Sequence, residues 1–208
     1  MFTDADANGA SIGAAMFRVV RGLSMSEIAD RYRKVAEGLT KRVDAVPELA
    51  WDNPAPCKGW VARDVIRHLV EWIPGFLQSG SDVDLPPGPS VDDDPAGAWK
   101  ALTAGVQALL DDPQVAAKEF SHPRAGRHSL EDAIATFFLG DVLIHTWDLA
   151  RATGGDELLD AAEVHRMLVG SEPYDEMLRS SGQYGPRVEV SDDAGEQTKL
   201  IAFMGRQP

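Results

Sequence analysis

The longest element that the sequence predicts is a helix from Ser129 to Thr153. Ser129 followed by Asp132 is an acidic variant of the capping box that opens helices. Gly154 and Gly155 give the glycine exit that is typical of a helix C-terminus. The chain is therefore organised around a long helix, and little strand signal is present elsewhere.

Three further helices are predicted upstream, because apolar residues recur there every three or four positions. They cover residues 26–46, 61–77 and 94–110, and a linker rich in Gly, Pro and Asp separates the last two at residues 79–92. Four main helices, long connections and no internal repeat predict an all-α fold, a four-helix bundle with long crossover connections.

The remaining segments give weaker patterns. Residues 115–127 indicate a loop or a short strand, and short helices are predicted over residues 161–169, 173–179 and 198–204. Arg187 to Val190 alternates as a short strand would. We interpret the region after the fourth helix as a small irregular C-terminal extension. The predicted domain covers residues 25–208, preceded by an N-terminal appendage of residues 1–24.

Composition limits the classes of function. The formal net charge of −13 repels phosphate backbones and anionic lipid, and no basic cluster overrides it, so the sequence predicts no nucleic-acid partner and no membrane partner. The apolar runs are shorter than a membrane span, and no secretory signal pattern is present, so a cytoplasmic protein is expected. The single cysteine, Cys57, excludes an internal disulfide and a multi-cysteine zinc site. A monomer and a homodimer both stay open.

Three polar side chains interrupt the apolar faces of two predicted helices. Asp141 and His145 are one helical turn apart on the fourth helix, and His68 lies among apolar residues on the second. Burying a carboxylate and an imidazole costs several kcal/mol unless a partner compensates them. A divalent metal shared by the two helices would compensate all three, and the alternative is that each is an isolated core residue with its own hydrogen bond.

Two histidines and one carboxylate leave coordination positions open, which is typical of catalytic rather than structural sites. Such a set suits zinc, and it also suits nickel or non-haem iron. The sequence does not choose among the three metals.

Two segments resemble a known family. Pro56-Cys57-Lys58-Gly59-Trp60 with Arg63 to Leu69, and His145-Thr146-Trp147-Asp148-Leu149-Ala150-Arg151-Ala152-Thr153-Gly154, resemble DinB/YfiT-like proteins of actinobacteria related to mycothiol-dependent maleylpyruvate isomerase. Phe203-Met204-Gly205-Arg206 is similar to the C-terminal ending of that group. The resemblance runs from about Ser26 to Pro208.

The resemblance implies a DinB-like bundle in which a histidine on the second helix and a carboxylate-x-x-x-His pair hold a divalent metal. The matching positions are His68, Asp141 and His145. Asp141 departs from the family pattern, which usually has Glu there, and its side chain is one methylene shorter. The resemblance also implies that a low-molecular-weight thiol such as mycothiol binds at the open metal position and is activated there.

The first functional hypothesis is a metal-dependent transferase, isomerase or hydrolase whose substrate is a small-molecule thiol or thiol adduct. The alternative is a non-catalytic bundle that binds a metal or a small ligand in stress response or regulation. A third hypothesis is a metal-free bundle with a degenerate site, because of the substitution at Asp141.

Several other residues have a structural and a functional interpretation. Asp148 could orient His145, but an ion pair with Arg151 or a cap contact is the preferred prediction. Cys57 is predicted to be a small buried residue rather than a reactive thiol. The tryptophans at positions 60, 72 and 147 are predicted to be core rather than cavity lining. Ordinary structural or surface roles are preferred for His122, His128, His165 and the acidic run Asp92-Asp93-Asp94. For Arg124 and Arg127 two interpretations stay open, contacts to a substrate or thiol cofactor and solvated surface charges.

Overall fold

The computed structural model describes residues 25–180 and 184–208. The predicted N-terminal appendage, residues 1–24, lies outside the described residues. In chain order the elements are α1 (Met25–Ala45), a 3₁₀ turn (Glu48–Asp52), α2 (Ala62–Gly80), α3 (Pro95–Asp111), α4 (Pro113–Ala116), β1 (Glu119–His122), β2 (Gly126–Ser129), α5 (Leu130–Phe137), α6 (Leu139–Thr153), α7 (Ala161–Ser171), a second 3₁₀ turn (Glu172–Tyr174), α8 (Asp175–Ser180) and α9 (Glu196–Phe203).

Four long helices form the body of the part of the chain that the structure describes. Helix α1 packs against α3 and α6, and α2 packs against the same two helices, so each long helix has two neighbours in the bundle. The core between them is apolar and aromatic, and its fully buried members include Tyr32, Leu39, Leu69, Ile73 and Trp147. The prediction of an all-α four-helix bundle is confirmed.

The predicted helix from Ser129 to Thr153 is divided into α5 and α6 at Phe138. Ser129 caps α5 by accepting a hydrogen bond from the backbone N–H of Asp132, as predicted. Phe138 still donates to the carbonyl of Ile134, so the division interrupts the helix for one residue only. Helix α6 ends at Gly154, whose φ of 69° is the left-handed conformation that favours glycine.

One helical stretch among the described residues, Leu130–Thr153, is long and apolar enough to cross a membrane, but 83% of its most apolar window is buried inside the protein. A core helix meets the same criterion, because a helix covered on all sides needs no polar face. The contacts of α6 with α1 and α2 supply this cover.

A two-stranded antiparallel hairpin precedes α5. Its register pairs Glu119 with Ser129 and His122 with Gly126. The predicted short strand in this region is therefore present. The imidazole Nδ1 of His122 accepts from the backbone N–H groups of Arg124 and Ala125, and thereby holds the turn.

The C-terminal extension packs α9 against α7. The strand predicted from Arg187 to Val190 is wrong, because the described residues offer it no partner strand. The segment is instead tied to the end of α9 by a hydrogen bond from the Val188 N–H to the Ala202 carbonyl. Gly205 follows with a φ of 81°, and the chain turns back so that Arg206 reaches the bundle.

Candidate metal site

The structure brings the three predicted ligands together. Nε2 of His68, on α2, lies 3.3 Å from Oδ2 of Asp141. Nε2 of His145, one turn further along α6, lies 3.4 Å from Oδ1 of the same carboxylate. Candidate ligand atoms of all three residues lie within 4.8 Å of one another.

These separations fit the coordination shell of a small divalent ion. Ligands about 2.0–2.1 Å from zinc at a tetrahedral angle are about 3.3–3.4 Å apart. The two nitrogen-to-oxygen distances, 3.3 Å and 3.4 Å, end on different oxygens of Asp141, so each histidine nitrogen lies about this length from the carboxylate oxygen nearest to it. The residues present therefore fit a divalent metal, even though an aspartate stands where the family pattern usually has a glutamate.

One side of the cluster is accessible. The side chains of His68 and Asp141 are 31% and 27% exposed, whereas that of His145 is 6% exposed. A metal held here would be anchored by a buried histidine and would keep a solvent-facing position, which is the arrangement of a site that exchanges ligands.

Two tryptophans contact the cluster, so the prediction that they are plain core is wrong for both. The indole N–H of Trp72 donates a 2.8 Å hydrogen bond to Oδ2 of Asp141 and fixes the rotation of this carboxylate. Trp60 stacks on His145 with ring centroids 5.8 Å apart, and it also contacts His68. Trp147 is buried in the core, as predicted.

Asp148 supports His145 from the other side of the imidazole, and the preferred prediction of an ion pair with Arg151 is wrong. The Nδ1–H of His145 donates to Oδ2 of Asp148 at 2.9 Å. With its proton on Nδ1, the imidazole turns the unprotonated Nε2 toward Asp141. A histidine that binds a metal through Nε2 requires this tautomer. Arg151 instead pairs with Glu157.

Arg206 completes the network and was missed by the functional interpretation of the sequence. Its Nε and Nη2 donate to Oδ1 and Oδ2 of Asp148 at 2.8 Å and 2.7 Å, a bidentate pair around a fully buried carboxylate. The available signal was its place in the Phe203-to-Arg206 motif at the end of the resemblance, because the contact itself joins residues far apart in sequence.

Cys57 belongs to a second group of candidate ligands with His145 and Asp148. Its Sγ accepts a hydrogen bond from Nη2 of Arg206 at 3.5 Å and donates to Asp148. A guanidinium at this position disfavours a second cation. Burial and the neighbouring Asp148 carboxylate raise the pKa of the Cys57 thiol to about 12, so the thiol is neutral at pH 7. The first group, His68, Asp141 and His145, is therefore the better candidate for a metal position.

The charges of the site are strongly coupled. Burial opposes ionisation of Asp141, but His145 and His68 outweigh it and hold its pKa well below the ordinary value. Burial alone would lower the pKa of His145, yet the carboxylates of Asp141 and Asp148 raise it to about 9. Burial also opposes ionisation of Asp148, but Arg206 and His145 lower its pKa to about 2. Without metal, a proton on His145 balances the two carboxylates.

We expect the proton on His145 to make the free energy of unfolding of the metal-free protein depend on pH. The folded-state pKa of His145 is about 9, above the ordinary value of 6.5. Its contribution to the free energy of unfolding is therefore fully present below about pH 6.5 and is lost as the pH rises through 9. The measurement is urea unfolding of chelator-treated protein from pH 6 to 10, beside His145→Gln. Parallel pH curves for the two proteins would contradict the assignment.

The other predicted polar residues have structural roles. Asp94 caps α3 by accepting from the Gly97 N–H, and His165 pairs with Glu196 on the surface. Arg127 pairs with Glu119 across the hairpin. The ordinary roles predicted for Asp94 and His165 are confirmed, and of the two interpretations left open for Arg127 the structure shows a surface charge, here in an ion pair.

Fold and side chains together define a helical bundle with a candidate two-histidine, one-carboxylate metal site. The model of the mycothiol maleylpyruvate isomerase N-terminal domain family matches residues 32–150, and the chain belongs to this family. Similar relatives include two uncharacterised proteins from two strains of Mycobacterium tuberculosis. Each is 28% identical over 164 residues, which cover 74% of this chain and 84% of the relative. No solved structure matches the chain significantly.

Proposed function

We propose that this protein binds one divalent metal ion through His68, Asp141 and His145 and uses it to transfer, isomerise or hydrolyse a small-molecule thiol or thiol adduct. The observation that carries the proposal is the convergence of these three side chains at ligand distances beside an accessible face. Zinc is the preferred metal, with nickel or iron as alternatives. Mycothiol is the proposed thiol, because the family description names it.

A divalent ion supplies Lewis acidity and lowers the pKa of a thiol or water bound to it. The protein supplies the geometry. Asp148 holds the His145 tautomer, and Arg206 keeps Asp148 ionised in a buried position. Trp72 orients Asp141 through its indole N–H. Trp60 covers both imidazoles and reduces the access of solvent from its side.

Cobalt substitution tests the thiol proposal, because a thiolate on Co²⁺ gives an intense near-ultraviolet charge-transfer band. Cobalt-loaded protein titrated with mycothiol should develop this band with saturation. The serine-containing analogue of the thiol should give no such band. Protein with both His68→Ala and His145→Ala is the matched control and should stay unchanged.

The outcome also separates enzyme from binding protein. Saturable thiol binding followed by turnover of a mycothiol adduct supports the enzyme. Thiol binding without turnover of any adduct favours the non-catalytic binding bundle. Cobalt binding with no response to thiol would contradict the thiol part of the proposal.

A further inference from the structure

Two groups of candidate metal ligands share His145. The first group adds His68 and Asp141, and the second group adds Cys57 and Asp148. Asp141 faces Nε2 of the shared imidazole, whereas Asp148 faces Nδ1. A neutral imidazole has one unprotonated nitrogen, so the two groups cannot both use it at the same time. The protein therefore contains two overlapping candidate sites, and a metal has to be directed to one of them.

The atoms of the second group have nearly the spacing of metal ligands. Sγ of Cys57 lies 3.5 Å from Oδ2 of Asp148, and Nδ1 of His145 lies 2.9 Å from the same oxygen. A sulfur about 2.3 Å and an oxygen about 2.0 Å from a tetrahedral zinc are about 3.5 Å apart, so the sulfur-to-oxygen distance already fits. The nitrogen-to-oxygen distance has to lengthen by about half an ångström. A thiolate, an imidazole and a carboxylate together favour softer cations than the first group does.

The guanidinium of Arg206 takes the place of a cation in the second group. Its Nη2 donates to Oδ2 of Asp148 at 2.7 Å and to Sγ of Cys57 at 3.5 Å, and its Nε donates to Oδ1 of Asp148 at 2.8 Å. The side chain of Arg206 is 14% exposed, whereas that of Asp148 is fully buried. The guanidinium therefore supplies positive charge to two of the three ligands and covers the carboxylate on the side that reaches solvent.

We propose that Arg206 determines which site a metal uses, because its guanidinium occupies the cation position of the second group and so confines a divalent ion to the first. This inference extends the proposed function and rests on it for the occupied site. Without the guanidinium, a divalent ion binds the second group through Sγ, Nδ1 and a carboxylate oxygen, and the protons of the thiol and of Nδ1 pass to the solvent. Arg206 is then a specificity-determining residue, since it keeps sulfur out of the ligand set.

Cobalt absorption measured in a phosphine reductant, with no thiol added, tests the inference. The chain has one cysteine, so a thiolate-to-cobalt charge-transfer band can come only from Cys57. Every protein in the test carries His68→Ala, which removes the first site. With Arg206 present, no band is expected. Adding Arg206→Ala should produce the band with about one equivalent of Co²⁺ and should raise the Tm on cobalt binding, since the ion replaces the lost partner of Asp148.

Three further variants in the same background complete the test. Arg206→Lys keeps the positive charge and should give no band. Cys57→Ser combined with Arg206→Ala should abolish the band and weaken cobalt binding about tenfold or more. Arg206→Gln removes the charge but can still donate to Asp148, so it should give the band even if Arg206→Ala does not fold. Absence of the band from both neutral variants, or a band in the protein that keeps Arg206, would overturn the inference. Because the first site is removed throughout, failure of the proposed function leaves this test unaffected.

Discussion

Asp148→Ala is expected to lower the free energy of unfolding by about 3–5 kcal/mol, among the largest effects of any single substitution in this protein. The carboxylate is fully buried, holds a bidentate bond from Arg206, and accepts from His145. Removing it leaves a guanidinium that is 14% exposed without its partner. Urea unfolding of the variant measures the loss.

A second ion pair provides the matched control. Arg151 and Glu157 also form an arginine–carboxylate pair, but their side chains are 40% and 36% exposed. Glu157→Ala should therefore cost less than about 1 kcal/mol. Combining Asp148→Ala with Arg206→Ala should cost less than the sum of the two single effects, since the unpaired charge is gone. Additive costs would show that the pair is not coupled.

His145→Ala is expected to weaken zinc binding by more than about 100-fold, because it removes the most buried ligand of the proposed site. Trp72→Phe removes only the hydrogen bond to Asp141 and keeps an aromatic ring against Phe76 and Phe138, so it should weaken zinc by about 10–100-fold. Competition with a chromophoric chelator measures both affinities.

His165→Ala serves as the histidine control. This side chain is 58% exposed and pairs with Glu196, so its removal should leave the zinc affinity unchanged. An affinity that falls equally for His165→Ala and His145→Ala would indicate nonspecific surface binding and contradict the site.

The bundle was predictable because periodic apolar residues and helix signals are local. The bounds of α1, α2 and α3 agree with the predicted helices within a few residues. The division at Phe138 was not predictable, because the residues on both sides keep a helical apolar pattern. The alternating pattern at residues 187–190 wrongly predicted a strand. A strand requires a partner strand, and the described structure provides none for this segment.

The candidate ligands were found from the sequence because a polar residue on an apolar helical face stands out locally. The residues that hold these candidate ligands in place were not found from the sequence. Arg206 meets Asp148 across 58 residues, and only the turn at Gly205 makes this contact.

The metal content of the purified protein is the decisive test of whether His68, Asp141 and His145 hold a metal. Untagged protein, purified without added metal, is compared by elemental analysis with protein carrying both His68→Ala and His145→Ala and handled identically. About one equivalent of a transition metal is expected in the parent, and its loss is expected in the variant. Metal-free preparations of both, with no gain in Tm on adding zinc, nickel or iron, would contradict the proposed metal site and identify a bundle without a working site.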